Sequence, residues 1–493
     1  MIAIHGFSWL WVIAAGALHT LGLSPFDIWP AIPVSIALFY GQLQRHAGSS
    51  SFGLGWLYGA GFFLSGCSWV YVSIAVYGHA TPLLAGALTA LFCLGLAVLF
   101  GVMALLYRRF FATLTPLSAA LAFSALWVLF EWLRSWLLTG FPWLYSGYAA
   151  LDTPLAGWAP IIGVYGLSAV WALLGVGIHS VVTKRYRLGA GLIGMLFAAT
   201  LAGHLIKGVD WTQPQGEPLE IAIYQPNVAL EDKWNPHFRR QILKQLSDNA
   251  GRYVGKVDIL LWPEGALPVT RERLTGYLAR EAQRANDHHM ALIAGVATRS
   301  TEGYYNSIVA LGQGAGEHHK QRLVPFGEFV PLEGLLRGAI DFFDLPMSNF
   351  KPGPDRAPLL TVFDQTIAAF ICYEVVYPDF VYRGSRDSQW LVTISNDSWF
   401  GDSIGPLQHL QMARFRALET QRPLLRGTNN GVSAIIDHRG RLQAQTLQFA
   451  ETVLQGHIQP RQGATPIMTT GSWPVLLLCG FCVLVLGRRT RTC

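Results

Sequence analysis

The chain is poor in charge. Asp, Glu, Lys and Arg make up 13% of its 493 residues, roughly half of the ~25% usual in soluble domains. That shortage excludes an ordinary soluble protein of this length, and mean hydropathy is accordingly positive, +0.33. Cysteine is scarce as well. Of the 6 present, Cys67, Cys93, Cys479 and Cys482 fall inside hydrophobic runs and Cys493 ends the chain. A disulfide framework is therefore excluded, and a thiol within such a run reads as a small apolar side chain. Cys479 and Cys482 form a C-x-x-C, but inside a membrane-type helix this predicts packing rather than redox or zinc chemistry. Internal repeats and low-complexity tracts are missing. The formal charge of +6 sits in short clusters between hydrophobic runs, and no basic stripe interleaves with aromatics, which argues against nucleic acid. His288-His289 and His318-His319 lack a third ligand at suitable spacing. Neither a metal nor another cofactor is expected.

What is present is hydrophobic: 52% of the residues, with 17 Trp. Apolar runs cover 7–23, 28–42, 53–77, 82–107, 115–138, 157–183 and 187–206, and one more covers 467–487. Most meet the ~20 residues a bilayer span requires, so about eight transmembrane helices are expected. The second run is short and carries Pro30 and Pro33, which predicts a tilted or broken helix. The first lacks a basic leader and reads as a retained helix rather than a signal peptide. Arg45, then Arg108 with Arg109, then Lys184 with Arg185 and Arg187 fall in every second connection, and Arg488, Arg489 and Arg491 follow the last run. Excess Lys and Arg mark cytoplasmic loops. Both termini are therefore expected in the cytoplasm, with the block 208–466 on the opposite side.

That block changes character. Short β-rich runs (Leu219–Tyr224, Asp258–Trp262, Ala291–Val296, Asn306–Leu311, Thr366–Ile371, Leu391–Ser395, Val432–Ile436) alternate with helical patterns at His237–Tyr253, Arg271–Asp287 and Pro406–Gln421. Such alternation predicts an α/β domain with a covered sheet. The expected organisation is a helical membrane bundle over 1–207, an extramembrane domain over 208–466, and a final helix with a basic tail over 467–493.

Three strings in the block set a reactive group beside strand-like sequence: Trp262-Pro263-Glu264-Gly265, the stretch from His319-Lys320 to Gly327-Glu328, and Ile371-Cys372-Tyr373-Glu374. Cys372 is the only cysteine in the block. A thiolate is a strong nucleophile but forms sparingly near neutral pH without a base and a cation. Glu264 can take the proton, and Lys320 can favour the thiolate and an oxyanion. Singly, each has a plainer reading as a turn residue, a surface charge or a core filler; together they outline a nucleophilic site. Glu131 and Arg134 lie three apart in a hydrophobic run. That spacing predicts a pair on one helix face, either structural or in contact with a lipid headgroup.

These motifs, with Glu131-Trp132-Leu133-Arg134 followed by Gly140-Phe141-Pro142-Trp143, resemble the apolipoprotein N-acyltransferase family, membrane-embedded members of the nitrilase superfamily. The resemblance implies an α-β-β-α sandwich for the outer domain. It implies Cys372 as nucleophile, Glu264 as general base and later acid, and Lys320 as oxyanion partner. Glu328 matches a second glutamate that orients the lysine or assists proton transfer. Trp234, Tyr373 and Glu374 match residues that shape or cover the substrate pocket, and Phe329 stands where a tyrosine was expected. The implied reaction passes an acyl chain from a membrane phospholipid, through a Cys372 thioester, to the α-amino group of diacylglyceryl apolipoproteins at the periplasmic face of a bacterial inner membrane. Two other readings stay open: a membrane-anchored amidase for a small soluble amide, and a non-catalytic transporter or receptor.

Overall fold

The computed structural model describes residues 8–45, 50–325, 327–329, 349–355 and 359–489. Phe326 of the lysine motif, Arg491 of the basic tail and Cys493 lie outside them. The chain forms two compact units: Met1–Val209 with Asp402–Gln411 and Thr470–Cys493, and Asp210–Gly401 with Met412–Thr469.

The first unit is helical. Four helices are long and apolar enough to cross a membrane: Pro82–Phe110, Pro116–Arg134, Pro154–Val182 and Tyr186–Ile206. The expected span 53–77 is instead two helices, Ser50–Gly66 and Val70–Tyr77, bent by 63°. The bend falls at Ser65-Gly66-Cys67-Ser68, the Gly/Ser-rich kind of stretch where helices kink. Trp9–Thr20 and Trp473–Arg488 are apolar but shorter, and Ala31–Arg45 has 15 residues, since Pro30 and Pro33 permit only a first helical turn there. By length and composition, four helices among the described residues meet the span requirement, or five with the bent pair counted as one. Packing is close where side chains are missing. A Cβ on Gly16 would lie 2.0 Å from the Tyr58 carbonyl oxygen, and one on Gly61 2.0 Å from that of Ile13. Helices Ser8–Thr20 and Ser50–Gly66 thus approach backbone to backbone.

Glu131 and Arg134 do not pair with one another as their spacing predicted. Each is spent on the coil that follows the helix. Glu131 Oε1 accepts from the Ser146 backbone N–H at 2.9 Å, the Ser146 hydroxyl at 2.9 Å and Trp127 Nε1 at 3.1 Å. Arg134 Nη2 donates to the Trp143 carbonyl at 2.8 Å, and its guanidinium lies 5.1 Å and 5.3 Å from the ring centres of Phe63 and Tyr145. The two charges fold residues 140–150 against the bundle, giving buried backbone groups the partners they need. Asp402–Gln411, which the sequence placed inside 208–466, belongs to this unit for a similar reason. Trp143 Nε1 donates to Gln408 Oε1 at 2.7 Å, Gln408 Nε2 to the Gly66 carbonyl at 3.1 Å, and Gln411 Nε2 to Asp27 Oδ1 at 3.0 Å.

The second unit holds two large sheets. In the six-stranded one, Leu219–Gln225, Ile259–Leu261 and Ala291–Arg299 run parallel, while Thr452–Ile458, Tyr304–Gly312 and Glu317–His319 add antiparallel. In the seven-stranded one, Gln365–Ile371, Trp390–Ser395 and Leu424–Thr428 run parallel at the centre. Side-chain alternation decides the layers. Ile259 and Leu261 of one sheet and Ile367, Ala369 and Ile371 of the other meet in a single core between the sheets. Leu260 and Leu292 face the opposite way, onto Ile242, Leu246 and Leu278 of helices Arg239–Tyr253 and Thr275–Asp287. On the outer face of the second sheet, Phe370 meets Phe380 of helix Pro378–Ser385 at 5.9 Å between rings. Helix, sheet, sheet, helix is the order of layers, and the C-terminal ends of the parallel strands form a common edge where reactive residues collect.

Candidate active site

Glu264, Lys320 and Cys372 all emerge where a strand stops. Glu264 lies in the turn after Ile259–Leu261, Lys320 follows Glu317–His319, and Cys372 follows Gln365–Ile371 directly. At Cys372 the backbone turns sharply from strand into the 3₁₀ helix Cys372–Val376, with φ +50°. A non-glycine residue in that left-handed region is strained, a cost tolerated mostly at functional positions. The turn lifts the side chain out of the sheet as strand-to-helix nucleophile turns do.

The carboxylates and the lysine are held by one buried network. Asn306 Nδ2 donates to Glu264 Oε1 at 2.7 Å and to Glu328 Oε1 at 2.8 Å. Lys320 Nζ lies 2.8 Å from Glu328 Oε1 and 3.6 Å from Glu264 Oε1. Glu264 Oε2 accepts from the Asn396 backbone N–H at 2.7 Å, and Glu328 Oε2 from that of Val324 at 2.8 Å. Lys320 is 1% exposed. Burial alone would pull its ammonium down, but Glu328, Glu264 and Cys372 outweigh it and hold the group above the usual lysine range. Lys320 is therefore a cation at neutral pH. Cys372 keeps an opening to the surface, yet its thiol is pushed up to about 12, first by burial and then by the Glu264 charge, while Lys320 works in the other direction. At neutral pH the sulfur is a thiol, and attack requires the proton to leave as the bond forms.

The remaining expected residues separate into two groups. Glu328 lies inside the network. Tyr373 is buried beside Cys372 with its ring edge-on to Tyr377 at 5.2 Å. Trp234 caps the short helix Leu230–Lys233, and its Cζ2 would come 4.0 Å from a Cβ on Gly265. Glu374 is fully buried, with both oxygens occupied by protein donors: His318 Nε2 at 2.8 Å, and the backbone N–H groups of Gln321 at 2.6 Å and Ile371 at 2.8 Å. Against burial, the His318 charge and these donors keep its carboxyl below the usual range. That geometry ties the Cys372 turn to the loop after Lys320. Phe329 bridges in sequence register to Pro325 and Asn349. Among the described residues no His, Cys, Asp or Glu cluster could hold a metal ion.

Two contributors, Asn306 and Arg426, escaped the sequence. Asn306 stands in a largely apolar strand, and a buried amide there was the available signal. Asn396 lies in the string Ser395-Asn396-Asp397-Ser398, which the sequence marks as a strand-end loop bracing the site, and it acts there through its backbone N–H. Arg426 sits in Leu424–Thr428, a strand disguised by its own charge; its Nη2 lies 2.7 Å from Asp397 Oδ2, both side chains fully buried. Asp397 in turn accepts from Ser395 Oγ at 2.6 Å, directly under the site. Gly295 explains why Glu264 sits where it does. A Cβ there would lie 2.4 Å from the Pro263 carbonyl and 2.7 Å from Glu264 Cα. Gly295→Ala is expected to destabilise the chain by about 1–3 kcal/mol through overpacking. Because the Glu264 turn must move, turnover should fall more than apparent substrate affinity; steady-state kinetics with unchanged turnover would refute the link.

Residues 15–177 match the apolipoprotein N-acyltransferase N-terminal domain family, and residues 220–466 match the carbon-nitrogen hydrolase family. Apolipoprotein N-acyltransferase of Pseudomonas syringae pv. tomato is 46% identical over 479 residues, covering 95% of this chain and 94% of that protein. The protein of that name from Pseudomonas aeruginosa is 47% identical over 493 residues, covering 98% and 96%. That from Vibrio vulnificus is 39% identical over 500 residues, covering 97% and 96%. With apolar helices in one unit and a carbon-nitrogen hydrolase sandwich in the other, the chain is a bacterial membrane acyltransferase, and it belongs to the apolipoprotein N-acyltransferase family.

Proposed function

We propose that this chain N-acylates apolipoproteins by a ping-pong reaction in which a membrane phospholipid is the acyl donor. The observation that carries the reading is the convergence of Glu264, Lys320 and a protonated Cys372 on one strand edge, in a chain whose other half is apolar helix. In the first half-reaction Sγ of Cys372 bonds to the ester carbonyl carbon while its proton passes to Glu264. Negative charge builds on the carbonyl oxygen and is met by the Lys320 ammonium. Collapse breaks the carbon–oxygen bond, and Glu264 returns the proton to the departing glycerol oxygen. A lysophospholipid leaves and a thioester remains. In the second half-reaction the α-amino group of a diacylglyceryl-cysteine attacks the thioester, Glu264 accepts a proton from the nitrogen, and the thiol re-forms. Glu328 would orient Lys320, Glu374 would brace the nucleophile turn, and Trp234 and Tyr373 would line the lipid pocket.

The finer topology belongs to the same proposal. Eight membrane-embedded segments are supported by the helices that the described residues form along those runs, the shorter ones crossing by tilt or locally thin bilayer. The basic residues sit where helices end or meet: Arg45 closes Ala31–Arg45, Arg108 and Arg109 lie in the last turn of Pro82–Phe110, and Lys184 and Arg185 separate Ala159–Val182 from Tyr186–Ile206. Placing these inside puts both termini in the cytoplasm and the sandwich in the periplasm. A soluble-amide hydrolase is not favoured, since the relatives matched over nearly the whole chain carry the acyltransferase name.

The test is intact-mass spectrometry of the full chain after incubation with phosphatidylethanolamine. One acyl chain is expected on Cys372, removable by hydroxylamine and transferred on adding a diacylglyceryl-cysteine peptide. An enzyme that acylates the peptide without ever carrying the acyl mass would eliminate the ping-pong scheme.

A further inference from the structure

A second buried lysine touches the general base from behind. Lys233 ends the short helix Leu230–Lys233 and is 3% exposed. Its Nζ donates to the backbone carbonyl of Glu264 at 2.8 Å. Among the described residues this is the only hydrogen bond its ammonium makes, and no carboxylate pairs with it. The next residue in the turn is what admits it: a Cβ on Gly265 would lie 3.2 Å from Lys233 Nζ, and Gly265 has φ +53°. A cation buried without a counter-ion is expensive.

We propose that Lys233 is a positioning residue for the general base. Its ammonium fixes the Glu264–Gly265 turn through the carbonyl and sets a positive charge on the backbone side of Glu264, opposite the one Lys320 presents to the carboxylate. The inference rests on Glu264 acting as the base. It also gives Trp234 a fixed seat, because Lys233 and Trp234 reach the same glycine from consecutive positions. Burial lowers the Lys233 amine to about 8, with Glu264 opposing the shift. Glu264 is the titratable group that faces it; Glu231 and Asp232 lie on its own helical turn, and Lys320, Glu328 and Cys372 act from beyond Glu264. A lowered amine is charged at neutral pH and loses its charge as pH rises through about 8.

The experiment follows single-turnover thioester formation by the full chain in phosphatidylethanolamine nanodiscs, from roughly pH 6 to pH 10. Lys233→Met is expected to slow acylation on the order of tenfold to a hundredfold. The lipid concentration giving half-maximal rate should move by less than about twofold, since the defect lies in the chemical step. Lys233→Arg should recover most of the rate at neutral pH. Because its guanidinium keeps its charge, its rate relative to wild type should climb as pH passes about 8. Wild-type rates in Lys233→Met, or an Arg-to-wild-type ratio that stays flat with pH, overturn the proposal. If Lys233→Met does not fold, the Arg ratio still decides. Glu264→Gln runs alongside: wild-type acylation there defeats the general-base reading itself, whereas its loss beside an unaffected Lys233→Met defeats this inference alone.

Discussion

Glu264→Gln is expected to slow thioester formation by about 10³-fold, the middle of the range for a positioned general base. The size follows from the state of the nucleophile. With its thiol pushed up to about 12, Cys372 holds almost no thiolate at neutral pH, so the reaction depends on proton removal during attack. The variant should also change the shape of the pH profile. Without an internal base, the rate should rise by about tenfold per pH unit as hydroxide supplies the thiolate. That rise should level off below pH 12, because removing the Glu264 charge removes one cause of the high thiol value while Lys320 still lowers it. A modest stability loss accompanies the substitution. Glu264 accepts from both Asn306 Nδ2 and the Asn396 N–H, and a glutamine amide must turn its NH₂ toward one of them, at a cost of about 1–3 kcal/mol. Rates are therefore to be compared per folded molecule. A Glu264→Gln chain whose acylation keeps the wild-type pH profile would show that the proton leaves by another route.

How much of this was legible in the residues depends on what each residue does. The strands Leu219–Gln225, Gln365–Ile371 and Trp390–Ser395 are buried along nearly their whole length, and unbroken apolar runs mark them in the sequence. Thr452–Ile458 was missed because it lies at a sheet edge with Gln455 and His457 exposed, which dilutes the apolar signal. Leu424–Thr428 was missed because Arg426 and Gly427 look like loop, and buried partners, the Asp397 carboxylate and the Val432 carbonyl among them, make Arg426 acceptable there. In the helical unit, hydropathy located the helices but not their length or bending. The 63° break after Gly66 is a matter of local backbone and packing, to which a hydropathy window is blind. At the site, side chains that react were readable as motifs, while a group that acts through a backbone atom, such as the Glu264 carbonyl, left no mark in residue type.

Lys320→Met should damage both catalysis and the fold, and for one reason. Glu264 and Glu328 converge on a single Asn306 amide, and Lys320 is the cation between them. Removing it leaves two buried carboxylates that share the Asn306 amide and hold one backbone N–H each, with no cation between them, and these cannot both remain ionised without a large penalty. Breaking such a cluster costs about 3–5 kcal/mol. Loss of the charge facing the developing oxyanion should lower acylation by about 10²–10³-fold. The pH dependence separates the two effects. In the wild type the Lys320 ammonium lies above the usual lysine range. Its stabilising contribution is therefore complete below the free-lysine value of about 10.4 and is lost only as pH rises through the still higher folded value. In Lys320→Met the pair must instead hold a proton that the unfolded chain releases above about 4.3, so stability should fall as pH rises from there toward neutrality. Denaturant unfolding at acidic and neutral pH would show the variant's deficit growing with pH. A deficit that does not change with pH would mean that Glu264 and Glu328 do not depend on Lys320 for their charge, and the oxyanion role would then have to be argued from rate alone.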